Sequence, residues 1–434
     1  MRHPKLYLIF LVISMSGIVS CTSTPTPAST NTPQRADAPI WLLNEANEGA
    51  THIRQADGTE ILVNVQSADM VTIEDTSFVL IEASGIPNYT HEMTDADISW
   101  LNGRPKADTD FVTGGTTVTV GQLVPYGGDI GYRSEVHQGG YQCPVGEGYG
   151  YWPPGPDCPF QVDHAVHFPI LLTVDQEGEC ETGLGTIGLW VNGTAIFNWG
   201  DGFTYKREGT WHNLAPEAEA YDLDICGGHA PPSGHYHHHT VPTCLGEQLG
   251  DQGQEHSPIY GLAADGYPVY GPWHSDGILA KSCWKLRDYD DSNSATGCGG
   301  NGQRDCVLVD NYDSLRCVQP ADTVGPSTQD RVRSLSGNEF TAVSGFYFED
   351  YYYDSSCTAQ GDAYLDDHNG HSHDGLGYHY HTTIREQRDG TYDNVFPYII
   401  GPTFYGELAE NSVTRCGLKP PGPPPNLDLE QENP

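Results

Sequence analysis

Two stretches of this chain, Leu223–Thr240 and Leu365–Thr382, carry one eighteen-residue histidine pattern and align without a gap. The identical pairs are Leu223/Leu365, Asp224/Asp366, Gly228/Gly370, His229/His371, Tyr236/Tyr378, His237/His379, His239/His381 and Thr240/Thr382. The copies end in Gly234-His-Tyr-His-His-His239 and Gly377-Tyr-His-Tyr-His381. Alternate residues of a strand share a face, so His237 and His239 point one way, as do His379 and His381. Tyr236, His238, Tyr378 and Tyr380 take the opposite faces. The chain is thereby constrained to a fold that builds the same histidine strand twice.

Imidazoles in pairs on one strand face are suited to gripping a divalent transition ion, each offering a nitrogen lone pair. His229 and His371 each follow a Gly turn and can fold back as further ligands, which makes His229, His237, His239, His371, His379 and His381 the candidate metal ligands. Neutral imidazole suits zinc, copper, nickel or ferrous iron, with zinc or copper preferred here. Asp224 and Asp366 are placed to take a ligand imidazole's second N–H, with Tyr236 and Tyr378 beside them in the surrounding shell. If the copies pair about a pseudo-twofold axis, His237 and His239 face His379 and His381 in one shared site or two adjacent ones. His368 and His373 lack a counterpart in the first copy and rank second. Without a metal, the same strands would form a hydrogen-bonded polar core.

The N-terminus reads as a processing signal. Arg2 and Lys5 precede an apolar run from Leu6 to Met15 that is too short to span a bilayer. It closes on Ile18-Val19-Ser20-Cys21, which resembles a bacterial lipobox with Cys21 lipidated. Residues 1–20 are then a signal peptide and 21–40 a Ser/Thr/Pro-rich tether. Residues 41–417 form one domain with a Cys-containing insertion at about 283–344, and 418–434 a disordered Pro-rich tail. The expected location is outside the cytoplasm, lipid-anchored at the outer membrane or cell surface. The alternative is a soluble periplasmic or secreted protein. Eleven cysteines beyond Cys21 fit an oxidising compartment, with Cys143/Cys158, Cys226/Cys244 and Cys298/Cys306 as candidate local bridges. Cys226 stands near His229 as a conceivable Cys/His ligand pair, but Cys244 just beyond the motif favours a bridge. A formal net charge of -38 argues against a nucleic-acid partner.

Frequent Gly, Pro and Tyr favour strands and turns over helices. Ile61–Val65, Met70–Ile73, Phe78–Ala83, Thr116–Val124 and Pro169–Val174 read as strands, and Gly188–Asn198 as a hairpin about Asn192-Gly193. His256–Pro272 reads as strand, Asp-Gly turn, strand, and Leu214–Leu223 as a short helix. His164 and His167 point apart from an extended segment and are taken as ordinary. The expected fold is all-β, a sandwich or barrel-like single domain with long disulfide-stapled loops.

The segments Cys226-Gly-Gly-His, Tyr236-His-His-His, Pro242-Thr-Cys, His256-Ser-Pro-Ile-Tyr-Gly-Leu-Ala-Ala-Asp-Gly-Tyr-Pro-Val-Tyr-Gly-Pro and Leu365-Asp-Asp-His-Asn-Gly with Tyr378-His-Tyr-His resemble the YHYH-domain family. The resemblance runs from about Val71 to Gly417 and implies an exported protein, without implying a reaction. The first copy departs from the tetrapeptide at His238, and His368 stands where Cys or Glu is expected. A metal-binding protein is the leading reading. A metal-dependent hydrolase or oxidase, with Asp224 or Asp265 as base, and a metal-free structural or adhesion domain are the alternatives. No Gly-x-Ser-x-Gly elbow, phosphate loop or His-Glu-x-x-His helix is present.

Overall fold

The computed structural model describes residues 41–417 apart from 55–58, 105–106, 112–113, 133–158, 177–179, 232, 290–303, 305–307, 310, 313–316, 319–324 and 334–338. Strands dominate, as the composition predicts, and the sheets are open: no closed barrel occurs among the described residues. β1 (Val65–Ile73) and β2 (Thr76–Ala83) form an antiparallel hairpin, and β3 (His164–Pro169) pairs with β2 to complete a three-stranded sheet. β3 thus begins five residues before the strand expected at Pro169. Of the expected strand at 116–124, only its end pairs, within Leu123–Pro125.

A larger sheet holds the histidines. It comprises β4 (Thr186–Trp190), β5 (Ala195–Phe197), β6 (Gly228–His229), β7 (His237–His238), β8 (Ile259–Ala263), β9 (Pro268–Tyr270), β10 (Gly370–Ser372) and β11 (Tyr378–His381). The order across the eight strands is β6-β7-β5-β4-β8-β9-β11-β10. Read from either edge it is the same sequence of parts: a histidine hairpin, then a second hairpin reached by a parallel pairing. The two halves meet at the antiparallel β4–β8 pair, where Leu189 lies opposite Leu262. The duplication therefore extends beyond the histidine motif to Gly188-Leu…Asn192-Gly193 and Gly261-Leu…Asp265-Gly266.

Both inner hairpins turn alike. Gly193 N–H donates to the Trp190 carbonyl and Gly266 N–H to the Ala263 carbonyl, each at 2.8 Å. Only the Gly is left-handed (φ 79° and 87°), whereas a two-residue primed turn needs both central residues there. The turn at Asn192-Gly193 is thus the longer type, with Gly as the bulge residue. Asn192 Oδ1 and Asp265 Oδ1 accept the N–H of Thr194 and Tyr267, which explains Asn and Asp at this position. Ile187, Leu189, Trp190, Ile196, Leu262 and Val269 are buried in one core with Val65, Ile81, Val166 and Phe168 of the smaller sheet. Each such side chain contributes about 1.5–3 kcal/mol relative to exposure.

The longest helix among the described residues escapes a strand-and-turn reading. α1 (Asp95–Gly103) starts at Thr94, whose hydroxyl accepts the Asp97 N–H while the Asp97 carboxylate accepts the Thr94 N–H. That reciprocal cap is readable as Thr94-x-x-Asp97. Buried His91 joins α1 to α2 (Thr243–Gln248), with Nε2 2.9 Å from Asp97 and Nδ1 2.8 Å from Glu247. Burial alone would lower its pKa, but hydrogen bonds and attraction from Asp97 and Glu247 outweigh that and raise it to about 9. A raised folded pKa gives stability that is complete below the unfolded value near 6.5 and is lost as pH rises through about 9. The melting-temperature gap between wild type and His91→Gln should therefore be widest at pH 6 and close toward pH 9.5. A gap independent of pH counts against the charged bridge.

Cys226 and Cys244 form the expected bridge across the first histidine copy, which removes Cys226 as a metal ligand. Cys180–Cys416 and Cys283–Cys357 are additional and span distant segments that spacing alone could not pair. Cys143, Cys158, Cys298 and Cys306 lie outside the described residues. In the polar segment expected to be an insertion, Arg304 is buried with its guanidinium on the Asp350 carboxylate at 2.7 Å. The Cys283–Cys357 bridge and the pairing of Trp284–Leu286 with Tyr351–Tyr353 hold its base. No helix among the described residues is long and apolar enough to cross a membrane.

Candidate metal centre

The sheet order separates the two histidine strands. Four strands lie between β7 and β11, five spacings of about 4.8 Å, so the copies stand roughly 24 Å apart. His237 and His239 do not face His379 and His381, and the shared four-imidazole site is ruled out. The pseudo-twofold axis exists, but it passes between β4 and β8 and sends the histidines to opposite edges.

At the first edge, antiparallel pairing sets His229 opposite His237. The Nε2 atoms of His237 and His239 lie 2.9 Å apart, and Glu219 Oε2 is 3.1 Å from His229 Nε2 and 3.2 Å from His239 Nε2. Ligands on bonds of about 2.0–2.1 Å sit roughly 3.3 Å apart around a tetrahedral ion. These four donors already stand at nearly that spacing. The other nitrogen of each ring is occupied: His229 Nδ1 by Asp222 Oδ2 at 3.1 Å, His237 Nδ1 by the His235 carbonyl at 2.8 Å, and His239 Nδ1 by the Asn198 carbonyl at 2.5 Å. Phe197 stacks on His237 with ring centroids 3.8 Å apart and walls the group.

The electrostatics suit a cation. Burial works against charge on His229, but Glu219 and Asp222 raise its pKa to about 10. Burial likewise opposes charge on Glu219, yet His229 and His239 hold its carboxyl far below the usual range. His237 is kept neutral by burial and by the positive charge beside it. A proton on His229 and a divalent ion among the four donors are alternatives, so an ion bound here would displace a proton.

At the second edge the same ties recur. His379 Nδ1 bonds the Gly377 carbonyl at 2.9 Å and His381 Nδ1 the Gly271 carbonyl at 2.6 Å. Gly377 and Gly271 occupy the positions of His235 and Asn198 in the other half. The remaining donors differ. Gly361 aligns with Glu219, Tyr364 with Asp222 and His373 with Pro231, so the carboxylate gives way to further imidazoles. His256, His373, His379 and His381 place donor atoms within 4.8 Å of one another, as do His274, His371 and His373. The Nε2 atoms of His256, His371, His373, His379 and His381 are buried without a hydrogen-bond partner. Burial first, and then crowding by like groups, lowers His371 to about 2 and His379 to about 3, so both keep their lone pairs at neutral pH.

Every sequence-predicted ligand thus falls into one of these groups, His371 beside His274 and His373 rather than in the set of His379 and His381. The predicted outer shell behaves otherwise. The Asp224 carboxylate accepts the Tyr236 hydroxyl at 2.6 Å and the N–H groups of Cys226 and Gly228. Asp366 does the same for Tyr378, His368 and Gly370. These pairs shape the turn before each histidine hairpin and touch no ligand imidazole, because the turn backbone consumes the carboxylate. Asp265, considered as a base, binds the Tyr380 hydroxyl at 2.6 Å and is a turn residue. His368 bonds Thr403 and stays outside, whereas His373 moves to the centre. His238 lies edge-on to Trp190 on the opposite face, and His164 meets His235 at 3.1 Å beside the first edge. Glu219, His256 and His274 were not anticipated. Glu219 lies in the segment leading to the first copy, and His256 and His274 flank the β8–β9 hairpin, so only the fold brings them to the histidines.

A family model described as YHYH protein matches residues 166–327. Over this segment the chain is similar to the YHYH family. The match takes in both inner hairpins, the first histidine edge, His256 and His274. The YHYH tetrapeptide itself, Tyr378–His381, lies beyond the matched segment, at the second edge. Comparisons with curated proteins and with solved structures found no match.

Proposed function

We propose that this YHYH protein is an exported transition-metal-binding protein with a separate metal centre at each edge of its eight-stranded sheet. The observation that carries the reading is common to both halves: His237, His239, His379 and His381 are held through Nδ1 by carbonyls at equivalent positions, leaving Nε2 atoms to converge. Donation of one ring nitrogen to a carbonyl is how ligand histidines are oriented. At the first edge His229, His237, His239 and Glu219 would hold a zinc-like ion, and four protein donors fill a tetrahedron. That closed set favours tight binding over catalysis there. Cys21 would carry the lipid that anchors the chain to a bacterial membrane, and the mass of the mature N-terminal peptide checks it.

Elemental analysis of the purified mature chain tests the metal directly. At least one stoichiometric transition ion is expected at each edge. His237→Ala should lose the ion of the first edge alone, and His379→Ala should loosen the second alone. Protein that carries no metal after exposure to zinc and copper, with the two variants altering only stability, leaves a hydrogen-bonded polar core as the explanation.

A further inference from the structure

The second edge holds more imidazoles than one ion uses. His256, His379 and His381 form one donor set and His274 and His371 another, and His373 belongs to both. A single octahedral ion with bonds of about 2.1 Å would keep trans donors roughly 4.2 Å apart. All six nitrogens would then fall in one group, but they divide into two. The rings themselves form one continuous cluster, with His371 4.8 Å from His379 and 5.0 Å from His381 by centroid, so it is the donor atoms, not the ring positions, that separate into two sets. Both ring nitrogens of His373 are buried without a hydrogen bond, although Nδ1 lies 3.3 Å from a carboxylate oxygen of exposed Asp374. The backbone carbonyls of Ser257, Asp362, Gly377 and Gly271 accept from Nδ1 of His256, His371, His379 and His381, which commits Nε2 of those rings to the interior. His373 has no such tie, so both its nitrogens are available.

We propose that the six imidazoles form a dinuclear centre for two first-row transition ions, with His373 as the bridging ligand. His256, His379 and His381 hold one ion and His274 and His371 the other. His373 donates one nitrogen to each, its N–H proton passing to bulk water as the second ion binds. The first ion is then closed by four imidazoles. The second has three protein donors and an open position on the side where His274 and His371 are only half-buried, the pattern of an ion that takes an exogenous ligand. Neither donor set contains a carboxylate or a thiolate, which favours copper or zinc over calcium, magnesium or manganese. The inference rests on the reading that the second edge binds metal.

Cu(II) titration of the chelator-stripped mature chain, read by bound-metal analysis and electron paramagnetic resonance, tests it. Three copper ions per chain are expected, one at the Glu219 edge and two here, the latter pair lost from the spectrum through coupling across the shared ring. His373→Ala should restore every remaining spin. His274→Ala, at a half-buried position, should lower the count from three to two with an unchanged circular dichroism spectrum. Two ions per chain, one per edge, with all spins visible, overturn the dinuclear centre and leave metal binding at the second edge intact. One ion per chain, insensitive to His379→Ala, overturns both.

Discussion

Glu219→Gln should weaken zinc binding at the first edge by more than about 100-fold while leaving the second edge unchanged. Altering groups that only orient a ligand costs about 10–100-fold, and Glu219 is itself a donor. It is the sole anion among the four converging atoms, placed 3.1 and 3.2 Å from two imidazole nitrogens. Glutamine keeps the shape and loses the charge, so the carboxylate's attraction for a divalent ion is what the comparison isolates. Asp222→Asn, which changes only the partner of His229 Nδ1, should fall in the smaller range. Competition against a chromophoric chelator gives both affinities. Stability follows by linkage: at a free-zinc level 1,000 times Kd the ion stabilises the fold by about 4.1 kcal/mol, and a hundredfold loss of affinity removes about 2.7 kcal/mol of that. The melting temperature of the zinc-loaded variant should fall toward the chelator-treated value. Equal zinc affinity in Glu219→Gln and wild type would remove Glu219 from the site.

The second large effect lies at the junction between the halves. A Cβ on Gly188 would come 2.4 Å from the Leu262 carbonyl oxygen, and one on Gly261 would come 2.5 Å from the Leu189 carbonyl oxygen. The two glycines are equivalents across the pseudo-twofold axis, each pressed against the opposite strand's backbone. Backbone cannot rotate aside as a side chain can, so the sheet itself must move. Gly188→Ala and Gly261→Ala should each cost about 1–3 kcal/mol, and since they share one contact region their effects should not add. Gly103→Ala, at the end of α1 with nothing within 4 Å, should be neutral. Thermal unfolding of the three variants decides it. If all three melt alike, the β4–β8 junction is looser than its geometry requires.

Much of the candidate site was legible because strand periodicity is local. The alternation in Tyr236-His-His-His and Tyr378-His-Tyr-His put His237 with His239 and His379 with His381 on one face without any knowledge of the sheet, and in the structure the members of each pair stand together. The hairpin about Asn192-Gly193 was legible for the same reason, and its partner about Asp265-Gly266 was in view, but their equivalence was not. The shared glycines, leucines and turn residues are few, and Trp190 and Val191 in one half correspond to Ala263 and Ala264 in the other. The Thr94-x-x-Asp97 cap is a local signal of the same kind, and in the structure it opens α1. Asp224 and Asp366 were assigned the wrong partner. A carboxylate near a histidine looks the same in sequence whether it serves the ring or the turn, and here the Tyr236 and Tyr378 hydroxyls and the backbone N–H groups claim it.

By itself the sequence determined that the chain is strand-dominated, that it repeats a histidine strand, and which imidazoles share a face. Those properties follow from residue type and from a two-residue period. Only the tertiary structure decided that the repeats lie at opposite edges and that one edge gains Glu219 while the other gains His256, His274 and His373. Strand order and long-range contact depend on how the two hairpins pair at Leu189 and Leu262. That pairing is set by packing between segments far apart in the chain, which no local pattern encodes.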